Sequence, residues 1–422
     1  MKQSFIVNKS CCVYSIVNKM KPFEPQLLPI KEIHWDSLIS LVGSANRAIS
    51  YYDGVLYGVA NPDILLSPLT TQEAVLSSKI EGMLATLGEV LKFEAGETPK
   101  EEARVYDIEE ILNYRRAMLQ AEDELRSRPF SLNLLKNLHA ALLDGVRGRF
   151  KARGQFRTTQ NWIGSPGSPI EMAQFIPPAP AVLMHYMDNW EKYFHFDRPD
   201  PMVQLAILHA QFEIIHPFLD GNGRLGRMIV PLFLFERKLI SSPVFYISEY
   251  LENHREEYVA GLRELNRKTP EAWSCWIAFF LVAMDKQARE NARKAKAMID
   301  LYGSLKNKIL DITHSRFAVP LLDRLFDQPI FTTSIFVNRP GMPGRPMVLN
   351  MLGKLKKAGI LKVVRQGKGR TAQILALAEL INVYMKMEND PLLKTFTKNN
   401  QLDRDFYIRG RHEGADNSLC KS

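Results

Sequence analysis

Apolar positions recur at helical spacing through most of the chain. Within residues 101–150, VYDIEEILNYRRAMLQAEDEL and LNLLKNLHAALLDGV carry apolar side chains three and four apart. They predict two amphipathic helices, and Gly145, Gly148 and Gly154 then break the pattern. Residues 201–215 predict a helix that delivers His216. MIVPLFLF, Met228 to Phe235, is apolar on every face and predicts a buried helix starting near Arg224, with a kink at Pro231. The longest apolar run, Ala272 to Met284, has 13 residues. That falls short of the roughly 20 needed to cross a bilayer, so a buried core helix is expected and no membrane span. Within 24–100, YYDG and NPDILLSPL read as turns. A helix follows, which Thr70 and Glu73 would open as a capping box and Gly82 would close. Residues 154–178, GQFRTTQNWIGSPGSPIEMAQFIPP, predict two short strands around a Gly/Ser/Pro turn.

The C-terminal third has its own order. PLLDRLFDQPIF predicts a helix and turn, RPMVLNMLGKLKKAGIL an amphipathic helix ending at Gly359, and KVVRQGKGRTAQILAL two strands joined by a basic turn. Helix, helix and hairpin resemble a winged helix-turn-helix. Arg365 to Arg370 would form the wing, and Lys354, Lys356 and Lys357 would lie on or near the recognition helix. The chain divides into an extension (1–23), an N-terminal region (24–100), a core (101–299), a winged-helix-like unit (300–385) and a polar, mobile tail (386–422). Both Met1 and Met20 are candidate starts.

Charge separates these parts. Residues 301–422 hold 20 of the 55 Lys and Arg and 10 of the 46 Asp and Glu, a net of +10; the remainder is near neutral at −1. Such asymmetry fits nucleic acid, an acidic partner or a solvated tail. Cys11, Cys12, Cys275 and Cys420 show no metal-ligand spacing and no dense disulfide pattern. With no signal-peptide apolar region at the N-terminus, a reduced bacterial cytoplasm is expected.

The most concentrated chemistry is His216 to Arg227, HPFLDGNGRLGR. Gly221 and Gly223 let backbone N–H groups approach an anion closely, and the following helix start adds unpaired donors and positive dipole potential. Arg224 and Arg227, with Leu225 and Gly226 between them, are three apart and share a face suited to phosphates. Asp220 is a hard oxygen ligand for Mg²⁺ shared with phosphate, and His216 can accept a proton near neutrality. His209 and Glu213 are four apart on the preceding helix, a spacing that suits a metal pair but more often core packing or support of the loop.

This stretch resembles the Fic-family signature HxFx(D/E)GNGRxxR at every fixed position. The resemblance implies a mainly α fold: an all-α core with a β-hairpin flap, followed here by the winged helix. It implies transfer of AMP from ATP to a Ser, Thr or Tyr hydroxyl of a protein, the chain itself included. His216 would be the general base and Asp220 the Mg²⁺ ligand. Asn222 and the glycine nest of Gly221 and Gly223 would hold the α- and β-phosphates, and Arg224 and Arg227 would reach further along the triphosphate. Related kinases carry Lys where this chain has Gly223, which favours nucleotidyl over phosphoryl transfer.

Ser77 to Gly82, SSKIEG, resembles the family's inhibitory pattern (S/T)xxxE(G/N), so Glu81, with Ser77 one helical turn earlier, is expected to pair with Arg227 and block the γ-phosphate seat. Tyr258 and Asn266 match nucleotide contacts on the adenine and ribose side, although Val259 and His254 depart from the family there. The 154–178 flap would align a target protein by strand addition. Homodimers are common in similar proteins and are expected. Two rivals stand beside this reading: an enzyme that removes AMP, with Glu81 orienting water, and a DNA-binding regulator that uses the core as a nucleotide sensor.

Overall fold

A computed structural model describes residues 21–58, 62–145, 151–165, 167–337, 339–368 and 372–385. The expected tail, most of the N-terminal extension, Gly148 and part of the basic turn, including Arg370, lie outside the described residues.

The order is helical almost throughout. Ahead of the core come α1 (Trp35–Tyr57), α2 (Pro62–Ile80) and α3 (Leu87–Glu94). The core has α4 (Glu102–Leu125), α5 (Leu132–Leu142), α6 (Leu183–Phe194), α7 (Pro201–Ile215), α8 (Asn222–Glu236), α9 (Ser248–Asn253) and α10 (Arg255–Glu264). A 44-residue helix, α11 (Pro270–Thr313), leads to α12 (Ala318–Asp327), β1 (Ile330–Thr332), α13 (Arg345–Lys357), β2 (Leu361–Arg365), β3 (Ile374–Leu377) and α14 (Ala378–Met385). The three strands form an antiparallel sheet in the order β1-β3-β2.

Helix starts follow local chemistry. Thr86 and Glu89 make a reciprocal capping box at α3. Asp200 accepts from the Met202 and Val203 N–H groups with Pro201 at the first helical position, and Thr269 with Pro270 opens α11 the same way. Helix α7 is the centre of the core: every residue from Met202 to Ile215 is buried. It packs against α6, α8 and α11, and Trp190 and Trp276 donate their indole N–H to the carbonyls of Leu208 and Ala206. Truncating either fully buried ring to Ala should cost about 3–5 kcal/mol.

Several expectations change. YYDG lies inside α1, and most of NPDILLSPL inside α2. Thr70 and Glu73 therefore sit in mid-helix and open nothing. Thr70 bonds the Tyr246 hydroxyl, and Glu73 accepts from the Ser248 N–H and hydroxyl. Tertiary partners took the side chains that the capping pattern assigned to the helix start. Gly82, at φ +89°, follows the helix end as expected. The boundary placed at 299/300 falls inside α11, so the core and the C-terminal unit share one helix. The 154–178 segment is not a two-stranded hairpin: Ile163 and Phe175 form one antiparallel bridge, and a 3-10 turn at Ile170–Met172 lies between them. Pro169, Pro177 and Pro178 lack the N–H groups that a longer ladder needs.

Candidate active site

Helix α7 ends where the signature begins. His216 caps it in the left-handed region (φ +49°, ψ 60°), which only surrounding contacts can hold for a residue with a Cβ. Those contacts are present. Arg157 Nε donates to the His216 carbonyl at 3.0 Å, and its Nη2 donates to the carbonyls of Pro178 (2.5 Å) and Ile215 (3.3 Å). Asn161 Nδ2 donates to the Phe218 carbonyl at 2.9 Å. Arg157 is buried, which lowers its pKa to about 10 and leaves it charged at neutrality.

A second brace is His139. Its Nδ1 accepts from the Gly154 N–H at 2.8 Å, so Nε2 carries the proton and donates to the Asp220 carbonyl at 3.2 Å. The ring stacks on Phe218 with centroids 3.9 Å apart, and burial lowers its pKa to about 4. Neither Arg157 nor His139 stands in a pattern that marked it in the sequence.

Gly221, at φ +77°, turns the chain into α8. The Asn222 side chain is buried and used within the loop: Oδ1 accepts from the Phe218 N–H and Nδ2 donates to its carbonyl, both at 2.8 Å. This leaves its backbone N–H as the group that could meet a phosphate. Leu225 faces the core. Gly226 is closed off by Glu213, since a Cβ built there would collide with Glu213 Oε1. Asp220 Oδ1 accepts from the Gly221 N–H, and the side chain is 45% exposed, leaving room for an ion on its other oxygen.

Neither arginine is free. Arg224 Nη1 meets Glu110 Oε2 of α4 at 2.5 Å. Arg227 is 1% exposed. Its Nε donates to Ser77 Oγ and its Nη2 to the Ser77 carbonyl, each at 2.8 Å, and Nη2 also meets Glu81 Oε1 at 2.7 Å. Burial alone would raise the Glu81 pKa, but Arg227, helped by Arg224 and His216, outweighs it and holds the carboxyl below its ordinary value. Burial alone would likewise lower that of Arg227, and Glu81 instead raises it. Gly223 completes the contact: a Cβ there would overlap Glu81 Oε1 and lie 3.0 Å from Arg227 Nη1.

These groups face a cleft of about 400 Å³ between α2, α7, α8, α10 and the 163–175 segment. Glu81, His216, Gly223, Arg227 and Tyr258 line it. His216 Nδ1–H donates to the Glu213 carbonyl at 3.2 Å, which leaves the Nε2 lone pair unused, and burial lowers the ring's pKa to about 4. The ring is therefore neutral near pH 7. Tyr258 is buried, with its hydroxyl 3.0 Å from His209 Nε2; His209 Nδ1–H donates to the Gly226 carbonyl. Asn266 is exposed on the 3-10 turn Leu265–Arg267 and does not line the cleft, contrary to expectation. Glu213, Arg255 and Arg263 do line it and were not expected there. Both His209 ring nitrogens are thus taken, by the Gly226 carbonyl and the Tyr258 hydroxyl, which leaves neither to pair with Glu213 on a metal. No helix among the described residues is long and apolar enough to cross a membrane.

Known proteins match the same region. Residues 39–123 match the Fic/DOC family N-terminal domain and residues 129–234 the Fic/DOC family domain. A probable protein adenylyltransferase of Aquifex aeolicus is 26% identical over 207 residues, covering 47% of this chain and 56% of that one. The protein adenylyltransferase Fic of Drosophila virilis is 27% identical over 145 residues, 33% of this chain and 26% of that one. The chain thus matches about half or less of these curated relatives' length. The fold is similar to that of a Fic family protein from Desulfovibrio desulfuricans, with a TM-score of 0.52 at 19% identity over 83% of this chain and 98% of that one. The chain thus carries matches to both Fic/DOC family domains, in order, across the site just described.

Proposed function

We propose that the protein transfers AMP from ATP to a hydroxyl side chain of a protein, and that Glu81 inhibits it. The observation that carries this reading is a neutral His216 with an unused Nε2, set in the same cleft as Gly223 and Arg227. In the reaction the substrate hydroxyl oxygen bonds to the α-phosphorus. The bond from that phosphorus to the oxygen bridging to the β-phosphate breaks, pyrophosphate leaves, and His216 Nε2 takes the hydroxyl proton. Backbone N–H groups at the start of α8 stabilise the charge that builds on the phosphate oxygens.

Asp220 would hold Mg²⁺: one carboxylate completed by phosphate oxygens is the usual arrangement for this ion. When bound, the ion would offset charge on the triphosphate. Arg224 and Arg227 would exchange Glu110 and Glu81 for phosphate oxygens. The 162–175 segment leaves Trp162 and Ile163 40% and 38% exposed at the cleft, which suits docking of an extended target backbone.

The order α12, β1, α13, β2, β3 with strand order β1-β3-β2 supports a winged-helix reading of the C-terminal unit. Lys356 and Lys357 are exposed at the end of α13, and we assign the unit a docking role. The deciding experiment incubates a lysate with α-labelled ATP and wild-type, Glu81→Gly or Glu81→Gly/His216→Ala protein, with mass spectrometry of labelled bands. AMP on protein in the Glu81→Gly arm alone supports the reading; label in no arm overturns it. AMP removal from modified target, or salt-dependent DNA binding indifferent to His216→Ala, would favour the two rivals.

A further inference from the structure

The cleft holds one buried acid that the proposed reaction does not use. Glu213 is 9% exposed, lines the cleft between His216 and Arg227, and its Oε1 is buried with no hydrogen-bond partner. It lies over Gly226, where the missing Cβ leaves space for the carboxyl. A buried carboxyl oxygen without a donor is costly unless the group is protonated or a ligand completes it.

The surroundings decide between ionised and protonated forms. From α8 the group faces Arg227, from the turn after α2 Glu81, from α10 Tyr258, with Arg255 and Arg263 further along the same cleft, and on its own helix and its cap it neighbours His209 and His216. Burial is the largest influence and raises its pKa; Arg227 opposes this and Glu81 adds to it, for a value of about 7. Arg227 is already committed to Ser77 and Glu81. Both histidines, at about 4, stay neutral at and above pH 6. Glu73 also reaches about 7, but Ser248 satisfies both its oxygens and it does not line this cleft.

We propose that Glu213, as the neutral acid, is a nucleotide-binding residue that donates a hydrogen bond to the bound triphosphate. The inference rests on the cleft being the ATP site. A triphosphate replaces the Glu81 carboxylate with more negative charge, which favours the protonated form still further. ATP binding then takes up a proton at Glu213. Because the pKa is higher with nucleotide than without, affinity is full below the free value and declines as pH rises through it.

Calorimetric titration of Glu81→Gly protein with ATP and Mg²⁺ at pH 6 and pH 8, in buffers of different ionisation enthalpy, tests this. Affinity should be about tenfold weaker at pH 8, with proton uptake near neutrality. Adding Glu213→Gln, which is neutral at every pH and keeps a donor, should abolish the extra proton uptake and the extra pH dependence; ATP's own ionisation is common to both proteins. Adding Glu213→Ala should weaken binding at pH 6, with circular dichroism checking the fold. Equal pH dependence in the Glu81→Gly protein and its Glu213→Gln derivative overturns the inference and leaves the ATP site intact. No ATP binding by Glu81→Gly protein overturns the site reading as well.

Discussion

Arg227 and Glu81, 146 positions apart in sequence, meet at 2.7 Å in the cleft, and Ser77 binds the same guanidinium through its hydroxyl and carbonyl. Removing Glu81 leaves a buried cation without its carboxylate, a seat that favours an anion. Glu81→Gly should therefore raise AMP incorporation at least about tenfold. His216→Ala in that background should lower it by about 10²–10⁴, the usual worth of a general base. Autoradiography of the protein with α-labelled ATP reads both effects, and equal labelling of wild type and Glu81→Gly would sink the inhibition claim.

Gly223→Ala should disturb the same contact from the other side. A methyl there overlaps Glu81 Oε1, so the carboxylate must leave Arg227. The activation by Glu81→Gly should then shrink in the Gly223→Ala background. A double-mutant cycle on AMP transfer measures this coupling, and additive effects would rule out the steric link.

Arg157→Ala strips donors from the carbonyls of Ile215, His216 and Pro178. The predicted cost is about 2–3 kcal/mol, read as a lower Tm, with transfer activity falling further because the left-handed His216 loses its brace. Wild-type stability in this variant would show that Arg157 does not hold the loop.

Five buried groups set opposing pH dependences. His139, His209 and His216 have pKa values lowered to about 4, so the unfolded chain takes up three protons first as pH falls below the ordinary histidine value. Their contribution is full above about pH 6.5 and lost towards pH 4. Glu73 and Glu213, raised to about 7, act in reverse: their contribution is full below the ordinary carboxyl value and lost as pH rises through 7. Between about pH 4.5 and 6.5 these five leave one net proton favouring the unfolded state. Glu213→Gln should raise that to two, steepening the fall of the urea midpoint between pH 6.5 and 5; an unchanged slope would contradict the assignment.

The parts of the site legible in the sequence are those carried by short-range geometry. The turn at Gly221, the start of α8 and the Ser77–Glu81 face need only local spacing. The braces were hidden because they join distant segments: Arg157 reaches 59 positions to the His216 carbonyl, and Glu110 reaches 114 to Arg224. Thr70 and Glu73 read as a capping box because the pattern is local, while their partners Tyr246 and Ser248 lie more than 170 positions away. Asn266 was expected at the cleft from the resemblance alone, which did not reveal the 3-10 turn that leaves it exposed to solvent.

Helix α11 has a mechanical consequence. At about 1.5 Å per residue it is a strut of roughly 66 Å that packs on α1 and α10 at one end and on α12, α13 and α14 at the other. Helix α12 also packs directly on α2, which ends one residue before Glu81. Force applied to the C-terminal unit would reach α2 through packed side chains, with no slack tether between them. A chain cut at residue 299 would sever this strut and strip one flank from α2, so any change in its activity would report a disturbed α2 along with the lost unit.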